Sequence, residues 1–135
     1  MRLVCFTNAG NEENIYTNEG LGPRRVAALL EWCRANQVEL LAPQLPGRGA
    51  RSKEPFLPDA QVRMRALCMQ LQLTRLPQTV AAHVLRLLAT RLDGVPYCVI
   101  GHSVGTWIAY EMLALAREQG LPMPLKVRSP HCTSR

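Results

Sequence analysis

Apolar positions fall in short continuous runs that alternate with stretches of helical spacing. Residues 3–7 (Leu-Val-Cys-Phe-Thr) form the first run. Asn8-Ala9-Gly10-Asn11 bounds it, which predicts a buried strand followed by a loop. The next dozen residues are rich in Asn, Glu and Gly and read as loop. Pro23 suits a first helical turn, and Val26, Leu29, Leu30 and Cys33 follow at i, i+3, i+4, i+7, predicting a helix from Pro23. Residues 38–42 predict a second strand, and the segment from Pro43 through Pro46-Gly47-Arg48-Gly49 cannot continue regular structure. Residues 59–72 and 78–92 are helical by pattern, separated by Pro77. Residues 97–100 predict a third strand and 104–119 a helix that Gly120 and Pro122 stop. Pro124-Leu125-Lys126-Val127 can begin a fourth strand, and 128–135 has no periodicity and reads as an irregular tail. Strand, helix, strand, helices, strand, helix, strand implies a parallel sheet with crossover helices on its faces.

Composition narrows this picture. The 135 residues suffice for one domain with a real core, and 47% hydrophobic content excludes a disordered polymer. Only 5% are aromatic, so aliphatic packing must dominate. The net charge of +6 would admit an acidic partner, whether nucleic acid or protein. The arginines are scattered without a stripe or interleaved aromatics, which argues against nucleic acid. Cys5, Cys33, Cys68, Cys98 and Cys132 are odd in number and contain no C-x-x-C pair, so they suggest buried free thiols, with no metal site. No apolar run is long enough for a signal-peptide core or a membrane span. The expectation is a soluble cytoplasmic protein without a membrane partner.

The candidate chemistry lies where the third strand meets the last long helix. Tyr97-Cys98-Val99-Ile100-Gly101-His102-Ser103-Val104-Gly105 is a short apolar run ending in G-x-S-x-G. That pattern is the nucleophile elbow of α/β-hydrolases, a strand-to-helix turn too tight for bulk two positions either side of the serine. A chance G-x-S-x-G arises in roughly 4% of chains this long, so the strand before and the helix after carry more weight than the motif. Ser103 is the expected nucleophile, within the elbow Gly101, His102 and Gly105. The helix from Val104 aims its N–H groups and its dipole at the site, where an oxyanion would develop. A loop of small residues at the carboxyl end of the first strand can bring a second donor, so the backbone N–H groups of Ala9 and Val104 are the expected oxyanion hole. Taken alone, that loop is also ordinary turn chemistry.

Three segments in order over residues 3–118 resemble the amino-terminal half of the type II thioesterases, α/β-hydrolases that serve polyketide and nonribosomal peptide synthesis. Leu3 through Asn11 is similar to a strand leading into F-P-x-A-G-G. Gln44-Leu45-Pro46-Gly47-Arg48 is similar to Q-x-P-G-R. Pro96-Tyr97-Cys98-Val99-Ile100-Gly101-His102-Ser103-Val104-Gly105, with the helix containing Ile108-Ala109-Tyr110-Glu111-Met112-Leu113, is similar to the family's elbow. The resemblance implies a three-layer α/β-hydrolase-like fold with a parallel central sheet. It also implies hydrolysis of acyl groups held as thioesters on the phosphopantetheine arm of an acyl carrier protein, with no cofactor.

The sequence also departs from the family. Thr7 and Asn8 replace the proline and the residue after it. Asn11 replaces the second glycine, and Asn tolerates the left-handed conformation a glycine would take. The helical stretch from Asp59 to Leu92 is longer than expected. In this fold the chain order is Ser, then Asp or Glu, then His. After Ser103 the carboxylates are Glu111 and Glu118, both on the following helix, and the one histidine is His131 in the tail. His102 is expected to face away from the serine, His83 to be an ordinary half-exposed helical histidine, and Asp93 to serve a turn. The expectation is therefore a partial thioesterase domain over 1–127, truncated after the elbow helix, with an irregular tail over 128–135. A non-catalytic carrier-binding module and an inactive fragment are the alternative readings.

Overall fold

Strands β1 (Arg2–Phe6), β2 (Glu39–Leu41), β3 (Tyr97–Gly101) and β4 (Lys126–Arg128) form one sheet in the order β2-β1-β3-β4. The computed structural model describes residues 1–8, 11–20, 25–55 and 76–129. Every neighbouring pair is parallel, with Val4 opposite both Leu41 and Val99, and Val99 opposite Val127. Parallel neighbours require crossovers, and the helices supply them. Helices α1 (Asn14–Thr17) and α2 (Ala28–Ala35) lie between β1 and β2 in the chain, α3 (Leu76–Leu92) precedes β3, and α4 (Val104–Glu118) joins β3 to β4.

Alternation along the strands divides the core in two. Val4, Phe6, Tyr97 and Val99 face a layer built by Val80, Ala81, Val84, Leu85, Leu88 and Leu92 of α3 and Ile108, Ala109, Met112, Leu113 and Ala116 of α4. The opposite face sends Leu3 and Cys5 against Cys33 and Val38, with Tyr16 and Leu29 packed alongside. Because both faces of β1 are covered, its sequence is a continuous apolar run rather than an alternating one. Fully buried aliphatic side chains such as Val84 and Met112 contribute about 1.5–3 kcal/mol each. The sheet sandwiched between helices is the expected three-layer arrangement.

Several boundaries move for local reasons. The helix expected from Pro23 starts at Ala28, because Val26 bridges Glu19 in antiparallel fashion and Ala27 donates its N–H to Asn18 O at 2.9 Å. Part of the expected loop before it winds into the single turn α1. β2 begins at Glu39 because the N–H of Val38 is taken by Cys33 O at 2.9 Å, closing the end of α2. Pro77 sits inside the first turn of α3, where its missing N–H costs nothing, so the helix starts at Leu76. The helix expected over 59–72 lies outside the described residues.

The stop after α4 forms as the sequence predicts. Gly120 (φ 67) donates to Arg117 O at 3.1 Å and Leu121 donates to Ala116 O at 2.9 Å, a Schellman end. The following loop is clamped to β3, since the Tyr97 hydroxyl donates to Pro122 O at 2.7 Å and Leu125 N–H donates to Tyr97 O at 2.8 Å. That clamp delivers the chain to β4, which takes in Arg128, the first residue of the expected tail. Residues 130–135 lie outside the described residues.

Candidate active site

The turn after β3 is set by what its glycines exclude. A Cβ on Gly101 would stand 2.7 Å from Thr106 Cα and 2.9 Å from Gly105 O. A Cβ on Gly105 would stand 2.5 Å from both Phe6 O and Thr7 O. The first glycine lets the helix fold back over the strand end, and the second lets α4 approach the backbone at the end of β1. Between them Ser103 takes φ 55 and ψ −123, a conformation costing an L-residue about 1–3 kcal/mol. Surrounding hydrogen bonds hold it there: His102 N–H to Phe6 O at 3.1 Å, Gly105 N–H to His102 O at 2.9 Å, and Thr106 N–H to Ser103 O at 2.9 Å.

Ser103 is exposed and occupies the N-cap of α4, yet its hydroxyl makes no capping bond to the helix. The amides of Gly105 and Thr106 are consumed by the turn, whereas Val104 N–H makes no backbone hydrogen bond among the described residues. A spare N–H beside an exposed serine, at a helix N-terminus, is what stabilisation of an oxyanion requires.

The second expected donor, Ala9, lies outside the described residues, as does Gly10. The loop around them is stitched together on both sides. Asn11 N–H donates to Asn8 O at 3.4 Å, Asn11 Nδ2 donates to Asn8 Oδ1 at 2.6 Å, and the Thr7 hydroxyl donates to Asn11 O at 3.3 Å. The Asn11 side-chain amide braces Asn8, a role glycine could not fill.

The Gln44–Arg48 segment braces the same loop from the β2 side. Arg48 Nη1 donates to Asn11 O at 3.4 Å, and Gln44 Oε1 accepts from Glu13 N–H at 3.2 Å. Arg51 Nη1 donates to Gln44 O at 2.8 Å and the same guanidinium forms an ion pair with Glu54. Burial lowers the pKa of Arg48 and nearby Glu12 partly offsets that. The motif by itself does not reveal this bracing, which joins segments far apart in the chain.

Thr106 is a further residue that sequence reasoning missed. Its hydroxyl lies 2.9 Å from Gly101 O, to which it donates, and 3.0 Å from the Ser129 hydroxyl. It thereby ties the strand end, the first turn of α4 and the residue after β4 together. The signal available was a hydroxyl residue on the first turn after the serine.

Among the described residues no side chain hydrogen-bonds the Ser103 hydroxyl. His102 is half-buried and engages β1 through its backbone. His83 is half-buried on α3, with a lowered pKa caused first by burial and then by Arg51 and Arg86. Asp93 is exposed in the turn after α3, and Glu111 and Glu118 lie along α4. His131 lies outside the described residues. Among the described residues no group of His, Cys, Asp and Glu could hold a metal ion, and no helix is long and apolar enough to cross a membrane. Cys5, Cys33 and Cys98 are free, and burial with Cys33 close by pushes the Cys5 thiol up to about 12, which makes it unreactive. Cys68 and Cys132 lie outside the described residues.

No family model and no curated protein matches the sequence. Solved structures do match the fold. The RedJ thioesterase from the prodiginine pathway of Streptomyces coelicolor is 26% identical with a TM-score of 0.63, over 95% of this chain and 38% of that one. BorB, a type II thioesterase from the borrelidin cluster, is 24% identical with a TM-score of 0.62, over 96% of this chain and 44% of that one. ClbQ from the colibactin pathway is 20% identical with a TM-score of 0.64, over 95% and 42%. The chain therefore spans about 40% of the length of the structures it matches.

Proposed function

We propose that this chain, whose α/β-hydrolase fold resembles the amino-terminal half of the type II thioesterases, carries the nucleophile of an acyl hydrolase acting on thioesters. The observation that supports this is the geometry of one residue. Ser103 is exposed, strained at φ 55, free of a capping bond, and followed by Val104, whose N–H has no backbone partner among the described residues. In the proposed reaction Ser103 Oγ bonds to the carbonyl carbon of an acyl group. The oxyanion rests against Val104 N–H and a second amide assigned to Ala9. The carbon–sulfur bond then breaks and releases the phosphopantetheine thiol of the carrier protein, and water hydrolyses the acyl-serine ester.

The serine proton needs a base, and none touches Ser103 among the described residues. Among the described residues no acid and histidine complete a triad with Ser103, and residues 1–127 are read as one part of such a domain, in keeping with the 38–44% of the matched structures that the chain spans. Taken alone, the 135 residues should therefore turn over little or no substrate, because a serine hydroxyl without its base is a poor nucleophile. Incubating the purified chain with an acyl thioester and with a fluorophosphonate probe tests both statements. Slow labelling that disappears in Ser103→Ala supports Ser103 as nucleophile. Rapid turnover abolished by the same substitution overturns the incomplete triad, and labelling that survives it overturns the nucleophile.

That no base touches Ser103 among the described residues also favours a second reading, a carrier-binding module without chemistry. Salt-sensitive binding of an acyl carrier protein that survives Ser103→Ala, with no labelling in either protein, would support that reading.

A further inference from the structure

The loop after β1 has two ends that are held by different parts of the fold. The first end rests on the elbow. A Cβ on Gly105 would stand 2.5 Å from Thr7 O, so that carbonyl packs directly on the first turn of α4. His102 N–H holds the preceding carbonyl, Phe6 O, at 3.1 Å. The second end is held from the segment after β2. Arg48 Nη1 donates to Asn11 O at 3.4 Å, and Glu13 N–H donates to Gln44 Oε1 at 3.2 Å. Asn11 O also accepts from the Thr7 hydroxyl at 3.3 Å, and Asn11 N–H reaches Asn8 O at 3.4 Å. A restraint placed on Asn11 is thereby passed to the residues on the near side of the loop.

The segment that applies this restraint is itself tightly folded. Gly47 N–H donates to Arg51 O at 3.0 Å and Arg51 N–H to Arg48 O at 2.8 Å, closing a turn around Arg48. Arg51 Nη1 reaches back to Gln44 O at 2.8 Å, while Glu54 takes the Nε and Nη2 of the same guanidinium. At Gly49 φ is 47 and a Cβ would strike Gln44 Nε2, so glycine leaves the Gln44 amide its place. Bonds of 3.2–3.4 Å to Glu13 N–H and Asn11 O sit at or beyond the long end of the usual range and add little to stability. Misplacing a catalytic group by about 1 Å, by contrast, can cost about a hundredfold in rate. Position is therefore the property these two contacts control.

We infer that Arg48 and Gln44 are positioning residues for the reaction proposed at Ser103: they clamp residues 11–13 and thereby set where the loop carries its oxyanion amide. The inference rests on the reading of Ser103 as nucleophile and of an amide in that loop as its second oxyanion donor. A clamp of this kind acts on the step in which negative charge develops, not on recognition of the substrate.

Fluorophosphonate labelling of the full chain over a range of probe concentrations tests it. In labelling, Ser103 Oγ bonds to phosphorus, fluoride leaves, the serine proton passes to water, and the phosphoryl oxygen takes the oxyanion position. Arg48→Met keeps an unbranched side chain and removes the donor; Gln44→Met removes the acceptor. Each should lower the maximal labelling rate about tenfold, with the half-saturating probe concentration and the melting temperature little changed. Amide hydrogen exchange should quicken at Asn11 in Arg48→Met and at Glu13 in Gln44→Met. Ser103-dependent labelling at an undiminished maximal rate in either variant overturns the inference and leaves the nucleophile standing. So does a change confined to the half-saturating concentration, which would make the side chain a contact of the probe, or slower labelling with unaltered amide exchange. Labelling that survives Ser103→Ala overturns the nucleophile and the inference with it.

Discussion

Gln37 and Ser103 have nearly the same φ, 54 and 55, and are the non-glycine positive-φ residues among those described. They reach it by different routes. Gln37 is exposed and closes α2, where Val38 N–H returns to Cys33 O at 2.9 Å and Gln37 N–H to Arg34 O at 3.4 Å. That is a helix end of the kind usually given to glycine, decided by the residues beside it. Ser103 is held by three separate segments: the end of β1, the end of β3 and the first turn of α4. Strain at Gln37 is local and can be relieved in place. Strain at Ser103 belongs to the tertiary structure, which fixes the angle through hydrogen bonds from three segments.

Substitutions that break this comparison are ranked by how many segments each must move. Gly105→Ala should have the largest effect, because its methyl would meet backbone oxygens of Phe6 and Thr7 that no rotamer change can move. A loss of about 3 kcal/mol is expected in urea unfolding, together with loss of probe labelling at Ser103. A stable, normally labelled Gly105→Ala protein would show that the end of β1 does not constrain the elbow. Next comes Ser103→Gly, which should raise stability by about 1 kcal/mol while removing labelling, since glycine accepts φ 55 without strain. Lower stability would mean that the serine side chain is itself a structural support. The smallest effect is expected at Gln37→Gly, a gain of about 0.5–1 kcal/mol with the rate of Ser103 labelling unchanged. A changed rate would couple the two regions and dissolve the distinction between them.

The same contrast explains which parts of the fold and site were legible in the sequence. β1, β3, α4 and its stop were readable because each depends on its own residues: a short apolar run, helical spacing, and Gly120 with Pro122 at a helix end. The start of α2 was not readable, because Val26 is drawn into a bridge with Glu19, seven positions earlier. β2 is shorter than its apolar run because a cap on α2 claims the N–H of Val38. Within the site, Gly101, Ser103 and Gly105 stood out because the turn tolerates few residues at those spacings. Thr106 escaped notice, since a threonine in a helix is unremarkable until Gly101 O and the Ser129 hydroxyl stand beside it. The bond from Arg48 to Asn11 spans 37 positions and could not be anticipated from either segment alone.

By itself, then, the sequence determined the alternation of strands and helices, the parallel sheet it implies, and the serine at its elbow. These follow from local periodicity, chain stiffness and the small size of glycine. The tertiary structure alone decided which N–H beside Ser103 stays without a backbone partner among the described residues and how the loop after β1 is braced. Those features depend on hydrogen bonds and close approaches between segments far apart in the chain, which no local pattern encodes.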